Sequence, residues 1–342
     1  MAAENKNEAR ALEIEQTGKF IEQLQKSAAD IIPLDDPYRE LHPERILGVY
    51  ESHYPGPTIV CTGGIHGNEP AALHAIRRVI SLLHEKRPPF RGKLIGLGGN
   101  LPALAKAQRF IDADLNRIWT SKRINAIKQQ KFPEEFPSET DQQLELFCIL
   151  AGLMRESEEL FLMDLHTTSS QSAPFLILDD NPEYRSYADS LPVPVIFGLS
   201  EELEGTLIHW IKREGAESIA FEAGQHYARS SMDNHTAAIL QTLAIKGCLA
   251  PNTLPSLKHH REVLKESAEG TKSFYKVSYH YKIAPNESFK MKPGYISFQS
   301  VKEGEELAHN QNGPIYSPMD GAIFMPLYQT QGNDGFFIIS PE

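Results

Sequence analysis

The sequence predicts an α/β fold: a mixed β-sheet flanked by helices, followed by a smaller C-terminal all-β domain. Two observations carry this expectation. From about residue 37 to 257, short apolar runs at 58–61, 93–97, 160–165, 174–178 and 218–221 alternate with stretches whose apolar residues recur at helical spacing. From about 258 onward, short β-rich runs are separated by Gly, Pro and Asn turns. Residues 1–36 stand apart as a polar, helical extension, which divides the chain into 1–36, 37–257 and 258–342. A length of 342 residues accommodates one α/β domain with a smaller appendage.

In chain order, Phe20, Ile21, Leu24, Ala28 and Ile31 share one helical face in the extension. An isolated helix of that length is marginal in water, so it is expected to dock on the rest of the chain or on a partner subunit. Acidic residues such as Glu13 and Glu15 argue against a transit peptide. Thr58-Ile59-Val60-Cys61 reads as a buried strand turned by Gly63-Gly64. Past Pro70, the residues Ala71, Ala72, Leu73, Ala75, Ile76, Val79 and Ile80 continue as a helix. Leu94 to Leu97 is a strand whose Gly-rich end lacks the spacing of a dinucleotide or phosphate loop. Lys131 to Thr140 is a Pro- and Glu-rich loop ahead of a helix bearing Leu144, Leu146, Phe147 and Leu150. In the C-terminal part the strand-like runs are Phe274 to Val277, Tyr295 to Phe298 and Phe336 to Ile339. Gly313 to Gly321 resembles the turn of a biotinyl/lipoyl-like β domain, but it holds no lysine, which argues against covalent cofactor carriage.

Composition bounds the partners. The net charge of −11 and the lack of a basic block argue against nucleic acid and anionic membrane surfaces. No apolar stretch approaches 18 residues and no signal pattern opens the chain, so a cytoplasmic location is expected. Three cysteines are too few for a disulfide framework; Cys61 and Cys148 sit in apolar runs and are expected in the core. Homo-oligomerisation is compatible with all of this.

Four segments carry chemistry. His66 and Glu69, three residues apart at a strand-to-helix corner, can turn an imidazole nitrogen and a carboxylate toward one point, the donors that Zn²⁺ accepts. Alone, the pair is equally what a solvated turn presents. Phe161 to Thr167 delivers His166 at a strand end, and a close pair with a distant third ligand is a common plan for catalytic zinc. Asp164, two residues before His166, shares its face and suits the acceptor role for the other ring nitrogen; the alternative is an exposed strand-end charge. Glu222 closes the run Ile219 to Phe221, as a general base or as a turn cap. Arg109, Asn116 and Arg117 form either an anion-recognition loop or a charge-mixed surface loop.

The ordered set His-Gly-Asn-Glu (66–69), Arg-Phe-Ile-Asp-Ala-Asp-Leu-Asn-Arg (109–117), Asp-Leu-His (164–166) and Phe-Glu-Ala-Gly (221–224) resembles the aspartoacylase and succinylglutamate desuccinylase family. That family is the deacylase branch of the zinc carboxypeptidases. The likeness runs from about residue 56 to about 235 and more loosely over the C-terminal part. It implies a zinc-carboxypeptidase-like sheet and one Zn²⁺ per chain, held by His66, Glu69 and His166. It also implies a C-terminal β domain that packs over the cleft and narrows it. Glu222 would be the catalytic carboxylate, acting first as base and then as acid toward the departing amine. Arg109 would polarise the scissile carbonyl, Asn116 and Arg117 would grip the substrate carboxylate, and Asp114 would hold their loop. Tyr328 would reach the site from the C-terminal domain. In N-acyl aspartate enzymes a further Arg precedes the catalytic Glu; the candidates here, Lys212 and Arg213, lie in a helical pattern and neither is assigned. The function so implied is hydrolysis of a small anionic N-acyl amino acid, of the N-succinyl-glutamate or N-acetyl-aspartate type. The alternatives are a zinc carboxypeptidase on peptides and a non-catalytic zinc-binding metabolite sensor.

Overall fold

The computed structural model describes residues 43–342 apart from 132, 251 and 272. The helix expected within 1–36 lies outside these residues. Strands β1 (Ile46–Glu51), β2 (Thr58–Gly63), β3 (Lys93–Gly98), β4 (Leu160–Thr168), β5 (Phe175–Ile177), β6 (Val195–Phe197), β7 (Glu217–Gln225) and β8 (Phe274–Lys282) come first. They are followed by β9 (Lys290–Met291), β10 (Gln299–Val301), β11 (Glu306–Asn310), β12 (Gly313–Tyr316), β13 (Gly321–Phe324) and β14 (Asp334–Pro341). Eleven strands share one mixed sheet in the order β1-β3-β2-β4-β7-β5-β6-β8-β14-β13-β10, and β12-β11-β9 form a second sheet.

The centre of the large sheet is parallel: β3, β2, β4 and β7 run side by side. Every residue of β2 and β4 is buried, as a strand covered on both faces requires. On one face lie the helices Ala71–Lys86 and Arg229–Ile245, packed through Leu73, Ile76, Val79, Ala238 and Leu243. The first of these helices buries Leu73, Ile76, Ile80 and Leu83, a spacing that keeps one stripe toward the sheet. On the other face, Leu146, Leu150, Trp210 and Ile211 cover the strands, and the Trp119 and Trp210 rings stack 4.8 Å apart.

Strand alternation then sets which residues meet. In β4, Phe161, Met163 and Leu165 join the first core, whereas Leu160 and Leu162 join the second. Asp164 and His166 continue the second series at its carboxyl end, and in β7 Glu222 continues the series of Ala220. A one-residue slip of register would turn all three to the opposite face.

Four sequence expectations need correction. The run Tyr295–Phe298 is not a strand: Phe298 has φ 71°, outside the β region, and its ring packs against Phe175, Tyr275 and Phe324. The segment expected to be loop up to Thr140 already turns helical at Pro137, because proline is tolerated in a first helical turn. Cys148 lies on the exposed side of that helix, while Cys61 and Cys248 are buried. The boundary expected at 257/258 falls inside the helix Ser256–Ser267, and β8 and β14 join the same sheet as β2 and β4. A separate small core of Met291, Leu307, Ala308, Ile323 and Phe336 underlies the C-terminal strands. No helix of the described residues is long and apolar enough to cross a membrane.

Candidate active site

The carboxyl ends of β2, β4 and β7 converge on one cleft, the place where parallel α/β sheets offer loops and strand ends to a ligand. Between β2 and the helix Ala71–Lys86, the loop carries His66 and Glu69. Gly67 is required there: a Cβ on it would lie 2.1 Å from the Ala103 backbone. Its N–H donates to the Arg109 carbonyl (3.1 Å), which ties the loop to the arginine segment.

His66, Glu69 and His166 are all buried, and their ligating atoms lie within 4.8 Å of one another. Both histidines direct Nδ1 toward the Glu69 carboxylate, at 2.9 Å from His66 and 3.2 Å from His166. Each Nε2 donates to another carboxylate: His66 to Asp114 Oδ1 (3.1 Å) and His166 to Asp164 Oδ2 (2.8 Å). With Nε2 as the donor, Nδ1 of the neutral ring keeps its lone pair for a cation. Two imidazole nitrogens and a carboxylate form a donor set that suits zinc. Glu69 Oε2 further accepts from the Thr167 N–H (2.9 Å), and the Thr62 hydroxyl donates to Asp164 Oδ1 (2.7 Å).

Glu222 pairs in register with His166 across β4 and β7. Its Oε2 is buried with no hydrogen-bond partner. Burial pushes its carboxyl up to about 8; the charges of Glu69 and Asp164 add to this, while His166 and Arg109 oppose it. Burial also disfavours the ionised forms of Asp114 and Glu69, but the Arg109 guanidinium beside Asp114 and the contacts of His66 and His166 with Glu69 outweigh it and hold both well below the usual range.

Arg109 donates through Nε and Nη2 to Asp114 Oδ2 (3.1 and 2.8 Å), which leaves Nη1 3.8 Å from Glu69. The Leu207 N–H donates to Asn116 Oδ1 (2.8 Å) and so fixes that amide, whose Nδ2 lies 3.4 Å from His166. Arg117 lines the cleft too, but its Nη2 donates to Asp334 Oδ2 (2.7 Å) on β14. Lys212 and Arg213 do not line the cleft; Lys212 is bound to Asp179 (2.7 Å).

Tyr328 is not brought into the cleft. Its hydroxyl donates to the Lys292 carbonyl (2.8 Å) and accepts from the Tyr295 N–H (2.9 Å), which turns the ring toward the C-terminal strands. The neighbouring Gln329 points inward instead, accepting from Asn68 Nδ2 (2.7 Å) and lying 3.2 Å from His226. Gln331 accepts from the Arg109 N–H (3.0 Å), so the segment between β13 and β14 closes over the arginine loop. His226 bonds the Thr167 hydroxyl (2.7 Å) beside the cleft. His235 sits on the helix Arg229–Ile245, fully buried against Phe221.

Glu139 was not singled out from the sequence. It is fully buried and accepts from the backbone N–H groups of Ile111, Asp112 and Ala113 (2.7, 2.9 and 3.2 Å) and from Asn100 Nδ2 (2.9 Å). An acidic residue in the first turn after Pro137 was its only local signal. Glu139→Gln places an amide where only acceptors fit, and is expected to cost about 1–3 kcal/mol in chemical denaturation. An unchanged denaturation midpoint would show that the 109–117 loop does not depend on this clamp.

Asp334 was missed as well. Burial opposes its ionisation, but the hydrogen bond from His280 (2.9 Å) and the charge of Arg117 outweigh it and lower its pKa to about 2. A depressed carboxylate pKa contributes stability that is present above the unfolded value of about 3.9 and lost as the pH falls through 2. Asp334→Asn is therefore expected to cost on the order of 2 kcal/mol at pH 7, with a deficit that shrinks below about pH 4. Denaturation midpoints at pH 7 and pH 3 check this; a deficit independent of pH would contradict it.

Residues 55–246 match the family model of the succinylglutamate desuccinylase/aspartoacylase catalytic domain. Succinylglutamate desuccinylase of Photorhabdus laumondii is 26% identical over 180 residues, covering 49% of this chain and 53% of that protein. The chain spans about half the length of that curated relative, and only 28% of the Yersinia enterocolitica one. Among solved structures, a succinylglutamate desuccinylase/aspartoacylase from Rhodobacter sphaeroides superposes with TM-score 0.60 at 21% identity, covering 86% of this chain and 88% of that one. Murine aminoacylase 3 superposes with TM-score 0.57 at 17% identity, covering 85% and 97%.

Proposed function

From the premise that this chain belongs to the succinylglutamate desuccinylase/aspartoacylase family, we propose that it is a zinc-dependent amidohydrolase cleaving the amide bond of a small N-acyl amino acid. One observation carries the reading: a buried His66, Glu69 and His166 donor set beside a buried, unpartnered Glu222 carboxylate. His66, Glu69 and His166 would hold one Zn²⁺. When bound, zinc supplies Lewis-acid polarisation and brings the pKa of a water toward neutrality.

The remaining work falls to side chains of this chain. Glu222 takes a proton from the attacking water and delivers it to the leaving amine nitrogen. Arg109, held by Asp114 through Nε and Nη2, keeps Nη1 available for the developing oxyanion, a preorganised charge that needs no rearrangement during reaction. Asn116 and Arg117 orient the substrate carboxylate. Asp164 and Asp114 fix the tautomers of the two histidines. The closure of the C-terminal segment over the cleft, through Gln329 on Asn68 and Gln331 on the arginine loop, favours a small substrate over an extended peptide.

The test is free-amine release by the zinc-loaded protein across a panel of N-acyl amino acids. Chelator-sensitive release from at least one member is expected. Release only of C-terminal residues from peptides would favour a carboxypeptidase. Stoichiometric zinc and ligand binding with no turnover would favour a sensor.

A further inference from the structure

We infer that the cleft selects an N-acyl amino acid carrying a single carboxylate and an apolar acyl group or side chain, and that Asp334 enforces this selection. The inference rests on the deacylase reading above and narrows its substrate class. Two guanidinium groups line the cleft, and each is already matched by a carboxylate. Arg109 spends Nε and Nη2 on Asp114. Arg117 spends Nη2 on Asp334 and Nη1 on the Asn116 carbonyl (2.9 Å). Asp334 is itself held in place by His280 Nε2, whose Nδ1 lies 3.3 Å from Glu202. Among the described residues, no lysine and no third arginine lines the cleft.

Apart from these groups, the proposed metal ligands, Asp164 and Glu222, the wall carries no charge: threonine and serine hydroxyls and Gln329 line part of it, and Ile177, Leu203, Ile208, Ala220, Met325 and Phe337 supply apolar surface. One ligand carboxylate finds the donors remaining on Arg117 and the amide of Asn116. A second carboxylate finds Asp334, a like charge, and a wall of neutral groups that strips its water without supplying a cation to pair with it. Leaving a buried charge unpaired is one way in which a site discriminates against a ligand of similar size. An apolar acyl group or side chain instead gains from covering those six side chains. The dianionic N-acetyl-aspartate and N-succinyl-glutamate types are therefore disfavoured, and neutralising Asp334 frees Arg117 to accept a second carboxylate.

The test is calorimetric binding to the zinc-loaded Glu222→Gln full-length protein, with and without Asp334→Asn. The ligands are N-acetyl-leucine, N-acetyl-methionine, N-acetyl-aspartate and N-succinyl-glutamate. The two monoanionic ligands are expected to bind at least about tenfold more tightly, and Asp334→Asn should narrow the gap by about tenfold. Tighter binding of either dianionic ligand with Asp334 intact would overturn the inference, as would binding of none of the four. Should Asp334→Asn not fold, Asp334→Ser carries the same comparison, and the order of binding with Asp334 intact still decides. Turnover by the unsubstituted protein separates the two readings. The predicted binding order without hydrolysis of any ligand overturns the amidohydrolase reading alone. Hydrolysis with the aspartate ligand preferred overturns the selectivity alone.

Discussion

Glu222→Gln is expected to lower kcat by about two to three orders of magnitude while zinc content stays unchanged. The substitution is isosteric, and Glu222 lies beside His166 in the strand register without contributing to the ligand set. A glutamine amide neither takes a proton from water nor returns one to an amine. The buried Oε2 has no hydrogen-bond partner to lose, so the fold should tolerate the change. Burial already pushes this carboxyl up to about 8, which means that the folded chain disfavours its charge; the neutral amide removes that cost. The expected profile is a fall in kcat, a nearly unchanged KM and an undiminished thermal midpoint. Turnover like that of the unsubstituted protein would remove Glu222 from the mechanism.

The second large effect is expected from His166→Ala. On the proposed set of three ligands, the variant should bind less than about a tenth of the zinc that the unsubstituted protein holds after dialysis, read by atomic emission. The same change leaves Asp164 and Glu69 buried with one partner fewer, since His166 bonds both. Breaking buried ionic networks from one side typically costs about 3–5 kcal/mol, so the urea midpoint should fall as well. Chelation of the unsubstituted protein separates the two consequences: activity should vanish without loss of the Asp164 contact. A His166→Ala variant that keeps stoichiometric zinc would refute the ligand assignment.

Much of this site was legible because its parts are local. His66 and Glu69 lie within one turn, Asp164 and His166 lie two positions apart on a strand, and Glu222 closes a short apolar run. Period-two alternation also explains why Asp164 and His166 share a face. What stayed hidden is non-local. Asp334 meets Arg117 across 217 residues, and Glu139 meets Ile111 across 28, with no repeating pattern to announce either contact. Tyr328 and Gln329 are adjacent, and only the bend between β13 and β14 decides which of them faces the cleft. The Tyr295–Phe298 run has strand composition, yet its aromatic content serves packing under a turn, an instance of tertiary context overriding propensity. Cys148 lies among apolar neighbours in sequence, but the helical period carries it to the outer face.

In the function proposed above, one metal held by His66, Glu69 and His166 supports amide hydrolysis by this chain. It is tested most directly by titrating the metal-free protein with zinc while following amine release from its best N-acyl amino acid substrate. Activity rising in proportion to added zinc and levelling at one equivalent per chain is the predicted result. Amine release at full rate before any zinc is added, or no dependence on zinc between zero and one equivalent, would contradict the account.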